Sequence, residues 1–123
     1  MKNVLICSAL VLCCLACEKY ANADIAGEWR ALSLTEAGDS LAVDLSAIRF
    51  TFTEDGRYQF KSTLDYKEAG QFRLDGPYLF STDALQPPLG EKAVEITFLS
   101  ADTLELRMKE LGKERLMLLE REL

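Results

Sequence analysis

The sequence predicts an all-β domain, an eight-stranded antiparallel up-and-down barrel, set behind an N-terminal leader. Three observations lead there. After residue 26, turn signals recur about every ten residues, and apolar side chains alternate with polar ones between them. No helix-length segment separates the runs, so consecutive strands should join through hairpins. The chain has 123 residues, which suits one domain. Eight strands close into a small barrel, and closure removes the unpaired edges that a flat sheet would expose.

The leader comes first. Lys2 is followed by an uncharged run over residues 4–16, which Glu18 and Lys19 terminate. Thirteen residues at helical rise cover about 20 Å, against ~30 Å for a bilayer core. The run is therefore a secretory signal in length rather than a membrane span. It ends in Cys14-Leu15-Ala16-Cys17, which resembles the lipobox of bacterial lipoproteins, a small residue before a cysteine that is diacylated and becomes the mature N-terminus. That resemblance implies a signal peptide over residues 1–16, lipid attachment at Cys17 with acyl chains such as palmitate, and a tether over residues 17–26. Ordinary signal cleavage nearby is the alternative. Two or more acyl chains hold a protein stably on a membrane, so the implied partner is the membrane itself, reached through the anchor. Glu18 beside the cysteine resembles a sorting signal and points to the outer membrane of the cell envelope. Cys7, Cys13 and Cys14 read as small apolar residues of the leader.

The first strand lies near residues 28–34. The second, near 47–53, turns Ile48, Phe50 and Phe52 to one face and Arg49, Thr51 and Thr53 to the other. Glu54-Asp55-Gly56 supplies a hairpin turn, and residues 57–64 return with Tyr58, Phe60, Ser62 and Leu64 on the apolar side. Residues 69–74 alternate through Phe72 and Leu74. Asp75-Gly76 then turns the chain into residues 77–82. Pro87-Pro88 marks a loop, because neither proline can donate to a ladder. Val94, Ile96 and Phe98 carry the strand near 93–99, and Leu104, Leu106 and Met108 the strand at 103–110. Gly112 reverses the chain into the last strand, near 114–121. The Leu, Glu and Lys content from residue 102 onward also suits an amphipathic helix, but the unbroken period of two and the Gly112 turn favour strands. The barrel domain so drawn covers residues 27–123.

Composition removes much chemistry. The chain has no histidine, and all four cysteines lie within the first 17 positions. Histidine triads, imidazole ligands and thiolate zinc sites are therefore excluded from the barrel. No metal-ligand spacing, calcium loop or phosphate-binding loop is present, and no cofactor is implied. Formal charge is −6, and loss of Lys2 with the leader makes the mature chain one unit more acidic. Electrostatics thus disfavour nucleic acid as a partner. The twenty acidic residues fall mostly on solvent faces and in turns, so the protein is read as a non-enzyme.

Gly27-Glu28-Trp29 opens the first strand and Arg121 stands near the end of the last. Gly-x-Trp paired with a late cationic residue resembles the signature of lipocalin-like, or calycin, barrels. Over about residues 25–121 the chain is similar to small lipocalin-like lipoproteins of bacterial envelopes. It shares their Phe-x-x-x-Gly-x-Tyr hairpin, here Phe52-Thr53-Glu54-Asp55-Gly56-Arg57-Tyr58, and a late run Asp102-Thr103-Leu104-Glu105-Leu106. The resemblance implies a structural role for Gly27, Trp29 and Arg121, with the tryptophan closing one end of the barrel and the arginine stacked on it.

Phe50, Phe52, Tyr58, Phe60, Phe72 and Phe98 are expected to point inward with Trp29. They could line a pocket for a small hydrophobic ligand or fill the barrel as a solid core. A chain with little apolar material to spare favours filling. A solid barrel would suit a scaffold or interaction module that docks another envelope protein. Residues 35–47 form a long first connection, readable as an extended start to the second strand or as a lid over an open mouth.

Overall fold

A computed structural model describes residues 19–85 and 90–122. A helical turn, α1 (Asn22–Ile25), precedes nine strands: β1 (Gly27–Glu36), β2 (Asp39–Ser40), β3 (Arg49–Phe52), β4 (Arg57–Lys61), β5 (Lys67–Asp75), β6 (Tyr78–Asp83), β7 (Glu91–Leu99), β8 (Thr103–Glu110) and β9 (Lys113–Arg121). The two-residue β2 only extends the turn after β1. The other eight pair antiparallel with their neighbours, and β1 also pairs with β9 from Trp29↔Arg121 to Glu36↔Arg115. The barrel is therefore closed, and the segment after residue 102 is a strand pair in which Leu104 faces Leu119 and Leu106 faces Met117. Cys17 and the leader lie outside the described residues.

Alternation explains the core. Trp29, Ile25, Ile96, Leu104, Leu106 and Leu119 are almost fully buried, drawn from α1 and four strands. Two interruptions of the pattern matter. Trp29 and Ala31 alternate inward and Leu32 outward, and a register shift between Ala31 and Ser33 in β1 then turns Leu34 inside. A second shift, between Ile96 and Phe98 in β7, turns Phe98 outward. An extra residue in one strand reverses the facing of everything beyond it. Phe98 is thus 52% exposed on the outer wall, which corrects its expected inward position.

The two ends of the barrel differ. At one end, α1 and the short turns at residues 53–56, 76–77 and 100–102 pack close to the core. Ile25 is fully buried there, so the end of the expected tether is a plug. The opposite end carries the longer connections. Leu64 is 99% exposed at φ 58°, because β4 stops at Lys61 and the chain reverses through Leu64 and Asp65, both in the left-handed region; its expected inward position is corrected. Leu111 and Gly112 both have positive φ, the backbone of a type I′ hairpin turn.

Residues 35–47 are neither one extended strand nor a cover. After β2, Leu41 and Leu45 pack on the core and residues 45–47 make a 3-10 turn capped by the Asp44 carboxylate, which accepts from Ser46 N–H at 3.1 Å. Gly70 is needed where β5 crosses β6: a Cβ there would meet the Thr82 carbonyl oxygen at 1.9 Å.

Candidate functional site

The closed end is built around Trp29. Its indole N–H donates to the Ile25 carbonyl at 2.9 Å, which ties β1 to the plug. The Arg121 guanidinium lies 4.3 Å from the ring centre and donates to the carbonyls of Ala101, at 2.6 Å, Asp24, at 3.0 Å, and Ala26. A guanidinium presents its donors in one plane while its face stacks. One side chain therefore ties together the plug, the 100–102 turn and the Trp29 end of the β1–β9 seam. Gly27 passes directly beside Arg121, where a side chain would collide with the guanidinium. These three residues form a structural seal.

The other half of the barrel is hollow. A cavity of about 610 Å³ opens at the end opposite the seal, within the range of small-molecule sites. The solid core expected from composition is not what forms: large aromatics occupy one side and the closed end, and smaller side chains leave space between the walls. Phe50, Phe52, Tyr58 and Phe60 line the cavity. Phe50 and Phe60 sit 4.5 Å apart between ring centres, and Phe50 stacks on Phe52 at 5.4 Å. Leu34, Leu79, Val94, Leu106 and Met117 complete the apolar wall. Phe72 is buried below the cavity, edge-on to Phe52 at 5.2 Å, and Phe98 is outside. No residue of the 35–47 connection lines the cavity, so it is no lid over this mouth.

One wall is polar. Glu68 on β5 is 8% exposed. Its carboxylate accepts from the Tyr58 hydroxyl at 2.9 Å, the Tyr66 hydroxyl at 2.6 Å and the Lys92 ammonium at 2.8 Å. Burial works to raise the Glu68 pKa, but the donors from Lys92, Tyr66 and Tyr58 together hold it below the ordinary carboxylate value. Burial and the Glu68 carboxylate push the Tyr58 hydroxyl well above its ordinary value. For Tyr66 the bond to Glu68 is the larger cause of the same upward shift. Lys92 is also raised, the Glu68 contact outweighing partial burial. A carboxylate with three donors is stable as an anion and is a poor general base. Among the described residues no cluster could hold a metal ion.

Sequence reasoning missed Glu68 and Lys92, although parity placed both. Phe72 and Leu74 set the inward face of β5, and stepping back by twos reaches Glu68. Val94 and Ile96 likewise lead back to Lys92. Each was passed over because an isolated charge on an apolar face has no visible partner until β4, β5 and β7 are brought together.

The fold is lipocalin-like. A lipocalin-like protein from Bacteroides uniformis superposes with a TM-score of 0.60 at 19% identity, over 80% of this chain and 99% of that one. An uncharacterized protein from Bacteroides eggerthii gives a TM-score of 0.57 at 14% identity, over 80% and 100%. No protein-family model and no curated protein matches the sequence.

Proposed function

We propose that the protein is a non-enzymatic carrier that holds one small hydrophobic molecule in the open half of its barrel. The observation that carries this reading is the apolar cavity of about 610 Å³, blind at the Trp29 seal and open at the other end. Burial of a ligand's apolar surface there gains roughly 25 cal/mol per Å² before the costs of association. A lipocalin-like fold supports binding in preference to catalysis, and the Glu68 carboxylate, held as an anion by three donors, is a poor general base.

Occlusion of the cavity tests it. Val94 and Met108 line the cavity and are only partly buried, so larger side chains can enter empty space instead of displacing core. Val94→Trp with Met108→Trp is expected to weaken binding of a lipophilic fluorescent probe at least about tenfold, roughly 1.4 kcal/mol, with an unchanged far-ultraviolet spectrum. Equal probe affinity in the folded variant and the natural protein, or no probe binding by either, would reject the carrier.

The carrier is further proposed to sit in the cell envelope, at the outer membrane, anchored through Cys17. The support is the leader pattern ending in Ala16-Cys17. Cys17→Ser is expected to move the protein from the detergent phase to the aqueous phase or to leave an unprocessed precursor. Unchanged detergent partitioning would count against the anchor. A second reading, docking of another envelope protein on the outer wall, is favoured by the exposed apolar side chains of Leu32 and Phe98. The occluded variant separates the two readings, since it leaves that wall untouched.

A further inference from the structure

We propose that the open rim of the barrel is a lipid-docking surface, in which Leu64 and Leu111 enter a neutral bilayer facing the one that holds the anchor. This rests on the anchored-carrier reading and adds to it the surface on which the mouth docks.

Neither leucine contributes to the core. Leu64 and Leu111 are both fully exposed, and both have positive φ, 58° and 51°, where glycine or asparagine makes a turn at lower cost. Leucine is thus unfavourable at each tip twice over, for its backbone and for the apolar surface left in water. The arms beside each tip line the cavity, Ser62 and Tyr66 around Leu64, Lys109 and Glu110 before Leu111. Around the eight barrel strands, the β4–β5 and β8–β9 turns lie four strands apart in either direction. The two leucines therefore stand on opposite sides of the mouth. Ala37, exposed and also at positive φ, adjoins the second tip, its N–H donating to the Glu114 carbonyl at 2.9 Å.

The sealed end has the opposite character, its turns carrying Glu54, Asp55, Asp75 and Asp102. Within three residues of the two leucines, Lys61, Lys67, Lys109 and Lys113 are balanced by Asp65, Glu110 and Glu114. Such mixed flanks suit the interface of an uncharged bilayer, where lysine stems run along the apolar phase and keep their ammonium groups in water. Two tips separated by an open mouth form no continuous apolar patch of the kind a protein partner covers. A fluid phase closes around each tip separately.

Orientation selects which bilayer. Tyr20 packs on the core at the sealed end and lines a recess there with Ala23, Leu99 and Arg121. Cys17 precedes Lys19 by two peptide units, which places it within roughly 8 Å of that residue. From the seal to the rim, β1 runs 10 residues, roughly 25 Å once strand tilt is included. An anchor at Cys17 holds the seal against its own membrane and points the leucines away from it.

Quenching by brominated phosphatidylcholine tests this, with the natural protein held in phosphatidylcholine vesicles by its anchor. A fluorophore is attached through Glu110→Cys at the rim or Glu54→Cys at the seal, both exposed positions. Brominated lipid in added acceptor vesicles is expected to quench the rim fluorophore and spare the one at the seal. Brominated lipid in the anchoring vesicles should do the reverse. Leu64→Ser with Leu111→Ser should raise the acceptor lipid needed for half-quenching at least about tenfold, with the far-ultraviolet spectrum and the affinity for a lipophilic probe unchanged. No rim quenching by acceptor vesicles, or equal quenching in the double variant, would overturn the docking surface. Rim quenching by the anchoring vesicles alone would overturn it as well. A rim signal that follows protein concentration and ignores acceptor lipid would make a second copy the occupant, and the proposal would fall. Leucine-dependent rim quenching in a protein that binds no lipophilic probe would reject the carrier and keep the docking surface. If the chain carries no anchor, neither vesicle population quenches the seal fluorophore, and leucine-dependent rim quenching by both still supports the docking surface.

Discussion

Trp29→Ala will destabilise the barrel by about 3–5 kcal/mol, the usual consequence of truncating a buried tryptophan. The size follows from position. Trp29 is fully buried and joins β1 to the plug through its bond to Ile25. Without the ring, the Ile25 carbonyl loses its donor and the Arg121 guanidinium loses the surface it stacks on. Typical domains have a margin of only about 5–15 kcal/mol, so the variant should populate unfolded chains readily at moderate temperature. Urea unfolding followed by circular dichroism measures it directly. Arg121→Ala should cost less alone. The double variant should cost less than the two single losses added, because both residues act on the same plug. A Trp29→Ala loss below about 1 kcal/mol would show that the seal is not what holds this end shut.

Glu68→Ala is the second large effect, expected at about 2–3 kcal/mol. Breaking a fully buried ion pair typically costs more, but Lys92 is mostly exposed and water screens its side of the contact. Most of the loss should come from Tyr58, 3% exposed, whose hydroxyl would lose its acceptor in a nearly dry wall. Glu68→Gln should cost less, since the amide oxygen still accepts one proton.

The same cluster fixes the direction of the pH dependence. The Glu68 pKa is lower folded than unfolded, so its contribution is complete above the ordinary value of 4.5 and lost as pH falls through the folded value. Tyr58, Tyr66 and Lys92 are raised. Their contributions are complete below the ordinary values near 10 and disappear as pH climbs through the folded ones. Stability should therefore hold between about pH 5 and 10 as far as this cluster governs it. Urea titrations of Glu68→Ala should show a shallower acid decline than the natural protein. An identical acid slope in the two would remove Glu68 as a source of acid sensitivity.

Much of the architecture was legible residue by residue. Ile48, Phe52, Tyr58, Phe72, Ile96, Leu104 and Leu106 are buried, and each is marked by its neighbours two positions away. The turns at Gly56, Gly76 and Gly112 have the positive φ that the residue type predicts. The polar site was half legible: parity marks Glu68 and Lys92 as inward, but their bond spans 24 positions in sequence and no local pattern shows it. Phe98 was misplaced because a bulge costs a single residue and leaves the composition of the run unchanged.

The sequence by itself determined the β class, the strand count of the barrel, the positions of the turns and the aromatic faces. Each depends on the relation of a residue to chain neighbours within a few positions, and the pleat makes that relation nearly independent of the rest of the fold. Only the tertiary structure decided that one half of the barrel is sealed and the other hollow, that Phe98 leaves the interior, and that Glu68 meets Lys92. Those outcomes depend on how far apart opposite walls stand and on the register between strands, quantities that arise when the sheet closes and that no single strand contains.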